Sequence, residues 1–201
     1  MVTTHLYDVR KSLPLDIELY QHADFLAEGK QDAEFEKKPE LAIKLIDLTS
    51  NRGYQPGIVI VDAGGNNISF LLKLENRQLK YLGGVAKNRK VILNEKDNIQ
   101  QTIRLDELAE SLAEEAFTEI KLNLNKPKTV WVVTREIEIS QLKGKRNIAI
   151  VMLVEHLAEG YAPTFSQATD IDYFITNVCS SIVTPQWIVD TYGSRNWVEV
   201  F

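Results

Sequence analysis

Short apolar runs alternate with amphipathic segments along this chain, which is the pattern of a mixed α/β protein. Uninterrupted β-branched runs indicate strands buried on both faces, and apolar positions three and four apart indicate helices. A strand, a helix and a strand follow one another with short links over 58–85, which predicts a β-α-β-like unit. The pattern predicts strands over 2–7, 13–20, 58–62, 80–85, 120–124, 129–139, 147–154 and 172–176, and helices over 39–51, 68–76, 105–117 and 185–201.

Asp62 ends one of these runs, Gly57-Ile-Val-Ile-Val-Asp62, and small turn-forming residues follow it. Open α/β folds usually bind ligands at the carboxyl ends of their strands, so this carboxylate is a candidate for chemistry. The alternative is that Asp62 caps the helix that begins near Ile68, or begins a turn. The local sequence by itself favours the cap.

Composition narrows the class of protein. Of 201 residues, 44% are hydrophobic, and no apolar run approaches the length of a membrane span. One cysteine excludes an internal disulfide and a cysteine-based zinc site, so we expect a cytoplasmic protein that makes no membrane contact. The net charge of −5 argues against a broad nucleic-acid surface, so any DNA contact must use a local patch.

The last predicted helix carries Tyr192, Arg195 and Glu199 at positions i, i+3 and i+7. This spacing places a phenol, a guanidinium and a carboxylate on one face of a helix. An amphipathic surface helix with an ordinary ion pair would have the same spacing, and taken alone that interpretation is favoured.

Together with the strand that ends at Asp62-Ala-Gly64, the run Tyr192-Gly-Ser-Arg195-Asn-Trp-Val-Glu199 resembles the signature of DDE transposases from bacterial insertion sequences. Residues 29–39, 52–64 and 79–89 also resemble this family, and the resemblance covers essentially the whole chain. It implies an α/β, ribonuclease-H-like fold with a mixed five-stranded sheet. A core over 1–93 and 169–201 would be interrupted by a β-rich insertion over 94–168.

The resemblance also implies roles for individual residues. Asp62 and Glu199 would be catalytic carboxylates and metal ligands in a site that binds two Mg²⁺ ions. Tyr192 and Arg195 would hold the phosphates of the transposon ends. Oxygen-only ligands suit Mg²⁺, and a two-metal site suits phosphodiester cleavage and strand transfer.

This sequence departs from the family pattern in three places. The family's first aspartate lies on a central strand upstream of the first strand matched here, and Asp8 and Asp16 stand in the wrong context to replace it. Gly65 replaces an aromatic residue after Asp-x-Gly, and the signature lysine seven residues beyond Glu199 is not present. We therefore expect a catalytic domain truncated at both ends, without its first strand, inactive alone and poorly stable, unless a separate upstream piece completes it.

Three alternatives remain open. The chain would be a non-enzymatic regulatory fragment if it bound DNA through the basic turn at Lys143, Lys145 and Arg146, or associated with full-length transposase. It would be a nucleotide-binding protein if Asp62-Ala-Gly-Gly were a phosphate loop, although this signal is weak without a lysine and Ser/Thr partner. The resemblance implies that Trp131 could wedge against a flipped base, as a tryptophan does in some members of the family, whereas its strand position favours a packing residue.

Overall fold

The computed structural model describes residues 1–8, 11–62, 67–94, 100–122, 128–155 and 163–195. Ten strands and four α-helices lie in these ranges. The strands are β1 (Val2–Tyr7), β2 (Ser12–Glu18), β3 (Val59–Val61), β4 (Tyr81–Gly84), β5 (Lys90–Asn94), β6 (Gln100–Arg104), β7 (Thr118–Leu122), β8 (Lys128–Ile139), β9 (Lys145–Leu153) and β10 (Asp170–Thr176), and the helices are α1 (Lys38–Asn51), α2 (Ile68–Asn76), α3 (Leu105–Ser111) and α4 (Pro185–Gly193). None of the helices in these ranges is long and apolar enough to cross a membrane.

Eight of these strands form one mixed sheet in the order β3-β4-β10-β9-β8-β5-β6, with β7 paired to β8. Among the strand pairs that the structure describes, β3 and β4 alone are parallel, and the remaining pairs of this sheet are antiparallel. The mixed α/β class is therefore confirmed. Strands from the expected insertion lie in the same sheet as strands from both core segments. The sheet therefore does not mark where one domain would end and the other begin, and the domain boundaries stay a prediction.

The hairpin β1–β2 forms a separate two-stranded sheet and packs on α1. Arg52, which follows α1, donates two hydrogen bonds to Asp16 of β2, at 2.6 and 2.8 Å. The helix ends as expected, because Gly53 adopts the left-handed conformation at φ +88°. The hairpin is thus attached to the rest of the fold mainly through α1.

Alternate residues of the sheet face two apolar clusters. Tyr81, Ile150 and Ile175 face the larger one, to which α1, α2 and α3 contribute, whereas Leu82 and Phe174 face a smaller cluster with Ile188 of α4. Since side chains of a strand alternate between faces, α4 covers the face of the sheet opposite to α1 and α2. Trp131 packs against the larger cluster, in line with the packing interpretation.

Two expectations about elements were wrong. The helix expected over 105–117 ends at Ser111, whose hydroxyl donates to the carbonyl of Leu108 at 2.7 Å, and Leu112 is already extended. A side-chain bond of this kind competes with the helical backbone bonds. The second error is an omission, since β5 and β6 pair with each other where the sequence pattern indicated no strand.

A partly buried ion pair connects α2 to β9. Arg146 donates two hydrogen bonds to Glu75, at 2.8 and 2.7 Å, and Tyr81 donates a third at 2.9 Å. The side chains of Arg146 and Glu75 are only 13% and 19% exposed. Burial raises the pKa of Glu75, but the bonds from Arg146 and Tyr81 outweigh burial and hold this pKa below its ordinary value.

We expect Glu75→Gln to lower the free energy of unfolding at pH 7 by about 2–3 kcal/mol, because the Arg146 guanidinium then stays buried without a counter-charge. Asp47→Asn is the matched control: Arg77 binds Asp47 with the same geometry, at 2.7 and 2.8 Å, but both groups are about a third or more exposed. Its expected cost is below about 1 kcal/mol. Urea unfolding measures both values.

The difference in free energy of unfolding between wild type and Glu75→Gln should depend on pH. A carboxylate with a lowered pKa stabilises the fold fully above its unfolded-state pKa, and this stabilisation is lost as the pH falls through the folded-state value. The difference between wild type and Glu75→Gln should therefore shrink in acid. A constant difference from pH 7 downwards would contradict a charge-based origin.

Candidate metal and phosphate site

Asp62 directly follows β3, at the edge of the sheet where the parallel strands β3 and β4 both have their carboxyl ends. Val61 is in register with Gly83 of β4, so Asp62 lies beside Gly84. The cap interpretation of Asp62 was wrong, because the side chain of Asn67 accepts the hydrogen bond from Phe70 N, at 2.9 Å, at the start of α2. The side-chain hydrogen bond that caps α2 therefore comes from Asn67 and not from Asp62.

Helix α4 begins as its sequence predicts. The Thr184 hydroxyl accepts a hydrogen bond from Trp187 N at 3.1 Å, and Pro185 occupies the first turn. Ile188, 1% exposed, anchors the helix on the sheet. The Tyr192 ring packs on Phe174 of β10, with ring centroids 4.4 Å apart and planes tilted by 56°.

Arg195 follows α4 and reaches the end of β3. Its Nη2 donates to Oδ2 of Asp62 at 3.3 Å, across 133 positions of sequence. The two side chains are 29% and 55% exposed, so the contact is open to solvent. The structure therefore brings Arg195 to Asp62. Tyr192 lies three residues before Arg195 and packs on Phe174, and Glu199 lies outside the described residues.

Asp62 is suited to a hard cation, since it presents a solvent-exposed carboxylate at the end of a strand. One carboxylate is fewer donors than a two-metal site needs. Within the residues that the structure describes, no group of three or more His, Cys, Asp or Glu side chains is placed to hold a metal ion. The fit to Mg²⁺ thus depends on Asp62 here and on Glu199 beyond the described part.

The three basic residues expected to bind DNA lie elsewhere. Lys145 and Arg146 are in β9, which is three strands away from β3 in the sheet. Along the strand direction they lie near the level of Tyr81, at the end of β4 opposite to the end beside Asp62. Arg146 is held by Glu75, and Lys145 lies 3.7 Å from Glu136. Lys143 is exposed in the turn.

Sequence reasoning missed two residues near the site. Phe174 supports Tyr192, and nothing in the local sequence of β10 indicates this contact. Asp172 lies on the same face of β10 as Phe174, towards the end of the sheet where Asp62 lies. Burial, and then the nearby Asp170, raises the pKa of the Asp172 carboxyl.

No protein-family model matches this sequence, and no curated protein matches it with statistical significance.

The packing of Tyr192 can be separated from any role of its hydroxyl. We expect Tyr192→Ala to lower the free energy of unfolding by about 1–2 kcal/mol through loss of the Phe174 contact, and Tyr192→Phe to change it by less than about 0.5 kcal/mol. Urea unfolding of both variants tests this. Equal losses in the two variants would show that the hydroxyl, not the ring, stabilises the helix.

Proposed function

We propose that this chain carries part of a DDE transposase catalytic domain of ribonuclease-H-like fold, which acts on DNA by metal-dependent phosphodiester cleavage and strand transfer. The single observation that carries the proposal is the contact between Arg195 and Asp62. These residues belong to the two motifs on which the resemblance rests, and an accidental likeness in two distant segments gives no reason for them to meet.

The surroundings of the contact support the same proposal. Asp62 lies at the end of a parallel pair of strands, where α/β folds usually carry their chemistry. Tyr192 is one helical turn before Arg195, so both project towards this end of the sheet. A carboxylate for metal, with a guanidinium and a phenol beside it for phosphate, matches what cleavage of a phosphodiester requires.

In this proposal Asp62 and Glu199 hold Mg²⁺, whose chemistry when bound is to activate the attacking oxygen and stabilise the leaving oxygen. Arg195 binds a backbone phosphate through its planar guanidinium, and its present partner Asp62 is then released to the metal. Tyr192 holds the same DNA strand through its hydroxyl while Phe174 fixes its ring. A two-metal site needs a further carboxylate beside Asp62 and Glu199, so we expect no cleavage by this chain alone.

The alternative function, a regulatory fragment that binds DNA through the basic turn, is less well supported. Two of the three cations there already have carboxylate partners, Arg146 with Glu75 and Lys145 with Glu136. Association with full-length transposase and action in the cytoplasm stay part of the proposal.

We expect Asp62 to bind a divalent cation even though the chain alone does not cut DNA. Fe²⁺ bound in place of Mg²⁺ should, with ascorbate and peroxide, cleave the polypeptide next to Asp62, and Asp62→Asn should abolish this cleavage. Asp47→Asn is the control and should leave the cleavage unchanged, because Asp47 lies on α1 and binds Arg77 instead. Mass spectrometry of the fragments locates the cut.

With Mg²⁺ alone, the chain should not nick supercoiled plasmid. Nicking that is abolished by both Asp62→Ala and Glu199→Ala would overturn the expected inactivity while supporting the site. Fe²⁺ cleavage that is unaffected by Asp62→Asn would contradict the site itself.

We expect Arg195→Ala to weaken binding to a short DNA duplex and to reduce the slope of log affinity against log salt by about 1, as for the loss of one phosphate contact. Arg77→Ala is the matched control, because Arg77 lies on α2's side of the sheet, bonded to Asp47. Fluorescence anisotropy over a range of salt concentrations measures both. An equal effect of the two variants would show that only net charge matters.

A further inference from the structure

A small cavity opens between helix α4 and the first residues of β3 and β4. Its volume is about 330 Å³. Ile58 and Lys80 directly precede the two strands, whereas Asp62 follows β3, so the cavity lies at the opposite end of β3 from Asp62. Most of its wall is apolar, and the side chains that define its character are Ile58, Val178, Ile182 and Trp187, with Lys80 and Cys179.

The loop that forms one wall of the cavity is fixed to the sheet by hydrogen bonds. The buried amide of Asn147 donates to the carbonyl of Val178 at 2.8 Å, and Val178 N donates to the hydroxyl of Thr176 at 3.1 Å. A turn then presents Ile182, whose N–H donates to the carbonyl of Cys179 at 2.9 Å. The cavity is therefore preformed, as most small-molecule sites are.

The wall of the cavity favours an apolar ligand. Ile182 is 53% exposed although its side chain is large and aliphatic. Ile58 and Trp187 pack against the smaller apolar cluster and also line the cavity. Covering such surface is favourable only for a group that is itself apolar. The volume is at the lower end of the range for small-molecule sites, which suits one ring or a short chain.

The charge at the cavity comes from Lys80. The charged groups that act on the Cys179 thiol are Glu136 and Lys80. Glu136 accepts a hydrogen bond from the Ser180 hydroxyl at 2.7 Å and lies 3.7 Å from the Lys145 ammonium, so its charge is already compensated. Lys80 is exposed and lines the cavity itself. A ligand that enters the cavity therefore meets a positive charge beside an apolar wall.

We propose that this cavity binds a small carboxylic acid with an apolar body. Its carboxylate pairs with Lys80, and its ring or chain packs on Ile182 and Trp187. Pairing with an exposed lysine adds little affinity but selects acids over neutral analogues. For a ligand of about ten non-hydrogen atoms we expect millimolar affinity, which is ordinary for a ligand of this size.

Cys179 provides a reporter for occupancy of the cavity. It is the single cysteine of the chain, and it is exposed. Hydrogen bonds from Ser181 lower the pKa of this thiol, which favours its reaction with iodoacetamide. Phenylpropionate at about 10 mM should slow alkylation of the folded chain about tenfold, and its neutral analogue phenylpropanol about threefold. Mass spectrometry measures the rates, and the chain unfolded in urea should show no effect of either probe.

Variants of the lining residues test where the probe binds. Lys80→Gln should reduce the protection by phenylpropionate to about threefold and leave that by phenylpropanol unchanged, with each rate compared to the same variant without probe. A Cβ added at Gly57, which also lines the cavity, would meet no other atom within 4 Å, so Gly57→Leu fits there and should remove protection by both probes. Ile182→Ala should weaken both about threefold. Leu72→Ala, at a 38% exposed residue of α2, is the matched control that should change neither.

Other outcomes overturn the inference. Alkylation that phenylpropionate does not slow would show that the cavity does not bind such acids. Equal protection by the acid and the alcohol, or by the acid in wild type and in Lys80→Gln, would show that Lys80 does not select a carboxylate. Protection that persists in both Gly57→Leu and Ile182→Ala would place the probe elsewhere. None of these readouts involves DNA, a metal ion or Asp62, so failure here is distinct from failure of the proposed nuclease role.

Discussion

Strand β4 is the element on which the arrangement of the candidate site depends. It lies between β3 and β10, and Tyr81 and Leu82 have no solvent-exposed surface. Its parallel register with β3 places Asp62 beside Gly84, and its antiparallel register with β10 places Phe174 beside the same glycine. The carboxylate and the aromatic support of Tyr192 thus receive their relative positions from one buried strand.

The two faces of β4 meet different helices. The face with Tyr81 meets α2, where Glu75 and Arg146 neutralise each other in a largely buried network. The opposite face receives α4, whose last turn carries Tyr192 and leads to Arg195 over the exposed end of the sheet. A buried charge pair contributes to one folded arrangement, whereas an exposed pair such as Arg195 with Asp62 costs little to separate. A phosphate or a metal ion can therefore compete for it.

Much of the element order followed from local sequence. The periodicity after Pro39, the cap at Thr184 and the run that ends at Asp62 each agree with the structure, because local backbone preferences and one-sided burial determine them. The end of α3 was not foreseen, because apolar residues continue at helical spacing beyond Ser111 while its hydroxyl competes with the helical backbone bonds. The pair β5–β6 was not foreseen, because β6 is polar and exposed and its strand conformation comes from pairing with β5.

The sequence by itself determined the α/β class and identified Asp62, Tyr192 and Arg195 as candidate site residues. The tertiary structure alone decided that Arg195 reaches Asp62, and that Arg146 is held by Glu75 at the other end of the sheet rather than presented in an open basic turn. It also decided that, among the described strands, β1 pairs with β2 alone and β3 pairs with β4 alone. The physical reason is common to all three: spacing along the chain specifies which face of an element a side chain occupies, but strand order and register specify which faces meet.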